Sequence, residues 1–196
     1  ITEEKQVNTY KGKRIVITIS REYGSGGRFV GKLVARELGI PFYDKELITL
    51  SAKESGLSAI YVEKNEQKKK QAIYVNNNDD RLFLAECKVI KELAKDSCVI
   101  VGRCADYVLK DDKDAIKIFL YSDMSSKEKR VVKYYNVDEN NAKKEIESIN
   151  KERAKHYKFY TEREWNDFSN YDFMFNVDKY GVERTAENII NIVKPD

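Results

Sequence analysis

This 196-residue sequence predicts a doubly wound α/β domain, and three observations lead there. Five short apolar runs, rich in β-branched residues, alternate with segments of helical periodicity. The runs lack polar alternation, as strands do when both faces of a parallel sheet are covered. The first run ends at a cluster of glycines, and an amphipathic segment follows at once.

Taken in order, residues 14–20 (RIVITIS) form the first strand, and Val30, Leu33, Val34 and Leu38 then recur at helical spacing. Residues 40–43 make a second strand, and Asp44 is a suitable N-cap for a helix over about 45–55. Leu82, Ala85, Val89 and Leu93 stripe a helix over 79–95, followed by strands at 98–101 and 115–120. Residues 125–135 and 140–160 read as strongly charged helices, 171–177 as the last strand, and Val182, Ala186, Ile189, Ile190 and Val193 as the face of a closing helix.

The length suits one buried core, and no Pro/Gly/Ser-rich linker divides the chain. We therefore expect a short extension at 1–13 and one domain over 14–196. Its least core-like part is a variable segment at about 56–80, containing EKNEQKKKQAIYVNNNDD, whose lysines Lys68 to Lys70 read as a solvated face. Charged residues at 35% and hydrophobic ones at 41% fit a soluble globular protein. A net charge of +3 is too small to require a nucleic-acid partner but suits small phosphorylated ligands. Cys87, Cys98 and Cys104 with a single histidine give neither a disulfide framework nor a zinc site, so they read as buried thiols of a reducing compartment. No apolar run approaches the roughly 18–20 residues of a membrane span, and the start ITEEKQVNTYKGK lacks the apolar segment of a signal peptide. The expectation is a cytoplasmic protein without membrane or nucleic-acid partners.

The glycine cluster stands where the carboxyl edge of such a sheet binds ligands. Gly24, Gly26 and Gly27 allow backbone N–H groups to turn towards an anion at a helix N-terminus. A complete P-loop adds a lysine that reaches the outer phosphates and a hydroxyl that holds magnesium. Aligned on Gly26, this sequence has Arg21 for the first glycine, Gly27 for the lysine and Arg28 for the hydroxyl residue; a shift by one puts Arg28 at the lysine and Phe29 at the hydroxyl. The backbone part of the site survives, with Ser25 between the glycines, and Arg21 and Arg28 offer guanidinium groups for phosphate. Gly31 reads as a close-approach point between helix and sheet.

The order ISREYGSGGR, LGIPFYDKELI, VIVGRCADYVL, KIFLYSD, INKERAKHYKFYT and YDFMFNVD resembles the cytidylate kinase-like family across nearly the whole chain. The resemblance implies a P-loop NTPase-type three-layer fold: a five-stranded, mainly parallel sheet, helices on both faces and a helical lid at about 138–168. It further implies ATP-dependent phosphoryl transfer, with magnesium, to a small acceptor, most simply a nucleoside monophosphate such as CMP or dCMP. Asp44 matches an aspartate ahead of a monophosphate-binding segment, although Lys45 and Glu46 replace the small residues usual there. Gly102 and Arg103 match a Gly-Arg near the acceptor; Val101 stands where an aspartate is usual, and Asp106 is the nearest substitute. Arg28, Asp44, Arg103 and Arg153 are thus the catalytic candidates, Asp44, Arg103 and Asp106 the acceptor-binding ones, and Asp44 or Asp106 the candidate magnesium ligand. Arg153 shares a helical stripe with Ile146, Ile149, Tyr157 and Tyr160, which turns it towards the cleft, whereas Lys143, Lys144 and Lys151 read as surface and His156 and Trp165 as packing. The alternative is a nucleotide-binding regulatory protein that has lost catalysis, because the lysine, the loop hydroxyl and the strand-end aspartate are missing together.

Overall fold

A computed structural model describes residues 12–54, 78–102 and 104–194. The predicted insertion therefore lies almost wholly outside the described residues, as do most of the N-terminal extension and Arg103. The elements are β1 (Val16–Arg21), α1 (Gly27–Leu38), β2 (Phe42–Asp44), α2 (Lys45–Glu54), α3 (Asn78–Leu93), β3 (Cys98–Val101), α4 (Ala105–Val108), β4 (Ala115–Tyr121), α5 (Met124–Tyr135), α6 (Ala142–Thr161), a 3₁₀ turn (Phe168–Asn170), β5 (Phe173–Asn176) and α7 (Val177–Val193).

The sheet order is β2-β3-β1-β4-β5 and every pairing is parallel. After β1 the chain adds strands first on one side and then on the other, so a crevice opens at the carboxyl end of β1, between β3 and β4. Period-two alternation sends Ile17, Ile19, Val99, Val101, Ile118 and Leu120 to one face, against Val30, Val34 and Leu38 of α1 and Val177, Ala186 and Ile189 of α7. Val16, Cys98 and Ile100 face the other way, onto Ile48 and Ala52 of α2 and Ala85, Val89 and Ile90 of α3. With both faces covered, the strands are the unbroken apolar runs that the sequence displays. No helix among the described residues is long and apolar enough to cross a membrane.

The last strand starts at Phe173 rather than 171. The Tyr171 hydroxyl donates to the Trp165 carbonyl (2.6 Å), and Asp172 exchanges two 2.8 Å hydrogen bonds with the backbone of Lys117, which fixes the entry to the edge strand. The closing helix begins at Val177, the expected last residue of the strand, because the Asn176 side chain caps it by accepting from Asp178 N (2.9 Å); Gly181 then kinks it.

One contact sets how closely α1 lies on the sheet. A β-carbon at Gly31 would stand 2.7 Å from Val101 Cγ2 and 3.0 Å from the Phe42 ring. Gly31→Val should overpack this junction and lower stability by about 1–3 kcal/mol, read as an earlier urea midpoint with an unchanged slope.

Candidate active site

The link from β1 to α1 is held from both sides. Glu22 N continues the β1–β4 ladder to the Leu120 carbonyl (3.0 Å), and the Glu22 carbonyl accepts from Ser25 N (3.3 Å) and Ser25 Oγ (2.8 Å), closing a turn. Gly24 and Gly26 carry φ of 80° and 88°, which a side chain would strain, and a β-carbon at Gly24 would meet the Lys127 carbonyl at 2.9 Å. The Glu22 carboxylate accepts from Ser122 N (3.2 Å) and from the buried Lys127 ammonium (2.9 Å). Arg130 donates to the Gly24 carbonyl (3.3 Å) and Ser122 Oγ (2.9 Å) and pairs with Asp178 at 3.0 Å, joining the loop to α5 and α7.

This packing buries residues 24–27. Among the described residues, the N–H groups of Gly24, Gly26, Gly27, Arg28 and Phe29 meet no carbonyl or side-chain acceptor. Buried N–H groups rarely go unpaired, and those of the buried Gly24, Gly26 and Gly27 lie at the positive end of a twelve-residue helix. An anion is the partner that such a nest accepts. Arg28, half-exposed at the same helix end, places Nη2 2.8 Å from Asp44 Oδ2, while Asp44 Oδ1 accepts from Leu47 N (3.2 Å) as the N-cap of α2. The Oδ2 contact is an ion pair without the directed geometry of a hydrogen bond.

Beside the loop lies a cavity of about 550 Å³, of a size that holds small-molecule ligands. Ser20, Arg21, Tyr23, Lys45, Glu46, Gly102 and Cys104 line it from the sheet edge, and Glu152, Arg153, His156 and Tyr157 from α6. Arg21 differs from its expected place at the donor phosphates. Its stem fills the space that Gly27 leaves free, where a β-carbon would stand 2.7 Å from Arg21 Cγ, and its head lies against Gly102 at the end of β3. Burial, reinforced by the Arg153 charge, lowers its pKa to about 9. Arg153 donates to the Arg21 carbonyl (2.9 Å) and lies 5.6 Å from the centre of the Tyr23 ring; burial lowers its pKa as well. Tyr23 ties α6 down further, donating N–H to Asn150 Oδ1 (2.7 Å) and O–H to Glu145 Oε1 (3.2 Å).

Asp106 stands behind this cavity rather than in its lining. It is buried at the start of α4, accepting from Ser20 Oγ (3.1 Å) and from the Tyr157 hydroxyl (2.6 Å). Burial raises its pKa against the opposing effect of both hydroxyls, and raises that of Tyr157 too. Each Asp106 oxygen already accepts one hydroxyl, which fixes the carboxyl between β1 and α6. His156 packs edge-on against Phe83 and Tyr160, and Trp165 edge-on against Phe119. Cys87, Cys98 and Cys104 are free thiols, and no group of three metal-ligating side chains occurs among the described residues.

A model of the cytidylate kinase-like family matches residues 16–179. The chain belongs to that family. An uncharacterized protein from Eubacterium ventriosum is 31% identical, with 93% of this chain and all of that chain covered and a TM-score of 0.77. Shikimate kinase from Acinetobacter baumannii, solved with shikimate, shares the fold at 16% identity (92% and 93% covered, TM-score 0.54). So does YorR from Bacillus subtilis, solved with phosphorylated GDP, at 15% identity (91% of this chain and 95% of that chain covered, TM-score 0.52). No curated protein matches.

Sequence reasoning passed over Glu22, Lys127 and Arg130. Lys127, Arg130 and Val131 share one face of α5, so two cations on a stripe that includes a core valine were the available signal. The Asp106 cluster yields a pH prediction. A carboxyl whose folded pKa lies above its ordinary value of 3.8 adds stability at low pH and loses it as pH rises through the folded value. In urea melts from pH 3.5 to 7, the stability of the wild type relative to Asp106→Asn should therefore fall as pH increases; a constant difference would mean that Asp106 titrates normally.

Proposed function

We propose that the protein transfers the terminal phosphoryl group of ATP to a small acceptor, most simply a nucleoside monophosphate such as CMP or dCMP. The observation that carries this reading is the set of buried, unpaired N–H groups at the start of α1, opening beside a cavity with two arginines. Membership of the cytidylate kinase-like family supports it, as do a fold neighbour that binds shikimate and another solved with phosphorylated GDP.

In this reading Gly24, Ser25, Gly26 and Gly27 form the donor nest: the glycines present N–H groups, and Ser25 keeps the turn closed through Glu22. Arg28, at the rim, exchanges Asp44 for the donor phosphates when nucleotide binds and supplies the cation that Gly27 cannot. The released Asp44 carboxylate orients the acceptor, and it is the residue that would hold magnesium arriving with the nucleotide, where the ion would neutralise phosphate charge. Arg103, next to Gly102, belongs to the acceptor side. Asp106 acts through Ser20 and Tyr157 as a positioning residue for the cavity wall. Arg153 enters from α6, the lid helix, and compensates charge that develops on the phosphoryl group in flight.

One observation favours a second reading, a nucleotide-binding regulatory protein without catalysis: Arg28 and Asp44 hold each other, so neither is poised for chemistry in this conformation. Phosphoryl transfer from labelled ATP across a panel of nucleoside monophosphates and small alcohols, with nucleotide binding measured in parallel, separates the two. Binding without transfer, even in a single turnover, selects the regulatory protein. With an acceptor in hand, Arg153→Ala should lower turnover by about 100-fold or more while ATP affinity stays nearly constant. Equal loss of both would make Arg153 a ground-state binding residue.

A further inference from the structure

We propose that Phe29, backed by Tyr134, stacks on the base of the phosphoryl donor, so that the donor site selects purines by ring area and takes adenine and guanine alike. The inference rests on the reading of the α1 start as a phosphate nest and specifies the other end of the nucleotide.

The two rings meet where the core does not need them. On α1 the packed stripe is Val30, Val34 and Leu38, and Phe29 stands beside it, 38% exposed. On α5 the core residue is Val131, and the next turn places Tyr135 on Tyr23, with ring centres 5.3 Å apart. Tyr134 lies off that contact and is 51% exposed. It meets Phe29 instead, with ring centres 4.9 Å apart and planes tilted by 59°. So exposed a pair buries little area for the fold, and the tilt leaves ring face open. Lys133 already stands over the Tyr134 ring, 5.0 Å from its centre. Phe29 is thus the ring offered outward, and Tyr134 is the support that fixes it.

The place of the pair decides what covers it. Phe29 is two residues beyond Gly27, in the first turn of α1, so its ring rises beside the mouth of the nest. Tyr134 is four residues beyond Arg130 on the same face of α5, and Arg130 donates to the Gly24 carbonyl (3.3 Å). From both elements the pair stands about one helical turn, roughly 5–6 Å, from the loop. A nucleoside joined to phosphates in the nest extends past that turn. Neither ring lines the cavity beside the loop, so the pair serves the donor and not the acceptor. Stacking carries no hydrogen-bond code, because every base has a π-face, and a purine covers more of the ring than a pyrimidine does. Phe29 therefore separates purine nucleotides from pyrimidine ones and from bare polyphosphate, and does not separate adenine from guanine.

The test compares the whole protein with Phe29→Ala, Phe29→Tyr and Tyr134→Ala, using ADP, GDP, UDP and inorganic pyrophosphate as probes at one magnesium concentration in a calorimeter. Phe29→Ala should weaken ADP and GDP by about tenfold or more, to similar extents, UDP by less, and pyrophosphate not at all. Phe29→Tyr should restore the purine affinities, and Tyr134→Ala should lose part of them. In the wild type, nuclear Overhauser contacts should join the base protons of ADP to the Phe29 ring. Absence of those contacts in an ADP complex overturns the proposal even where no variant folds. So does an ADP affinity that Phe29→Ala leaves unchanged, or a loss for ADP that GDP does not share, which would mean that the base edge is read. Pyrophosphate binding as tightly as ADP to the wild type keeps the nest and sinks the platform. Failure of both to bind sinks the nest, and the platform with it.

Discussion

The carboxyl edge of the sheet depends on backbone that comes too close to its neighbours to carry side chains. At Gly24 the neighbour is the backbone of Lys127, at Gly27 the stem of Arg21, and at Gly102 the Arg21 head. These three contacts fix the β1–α1 loop against α5, send Arg21 across to β3, and set the loop beside the cavity. Any β-carbon added at these points would move the loop relative to the cavity.

Seen this way, the missing P-loop lysine is one part of a different distribution of charge. Lys127, the cation packed against the loop, is neutralised by Glu22 and holds the loop's shape. Arg130 does the same between Gly24 and Asp178. Arg28 is tethered to Asp44 at the rim, while Arg21 and Arg153 face the cavity without carboxylate partners among the described residues. Cations that are already paired stabilise the fold, and cations that are not paired are available to ligands. The distinction separates the paired cations of α5 from Arg21 and Arg153, which face the cavity.

The strands were legible because a parallel sheet covered on both faces needs unbroken apolar runs, and Val16 to Ile19, Cys98 to Val101 and Ile118 to Leu120 are such runs. The inward direction of Arg153 was legible for a similar reason, since it shares a helical stripe with Ile146 and Tyr157. Arg21 was not: its path depends on β-carbons absent at Gly27 and Gly102, and no periodicity links those positions. Nothing in the sequence singles out Lys127, because its partner Glu22 lies more than a hundred residues away. Asp106 read as an open carboxylate for the same reason. The hydroxyls that claim it, on Ser20 and Tyr157, come from β1 and α6.

The central claim is that the unpaired N–H groups at the start of α1 receive the phosphates of a nucleotide. Backbone amide NMR of the whole protein during titration with ADP addresses it most directly. The account predicts large, saturable shifts at the amides of Gly26, Gly27 and Arg28, with little change at the Tyr23 amide while it stays bonded to Asn150. Saturable ADP binding that leaves the three loop amides unmoved, or no binding at all, would contradict it.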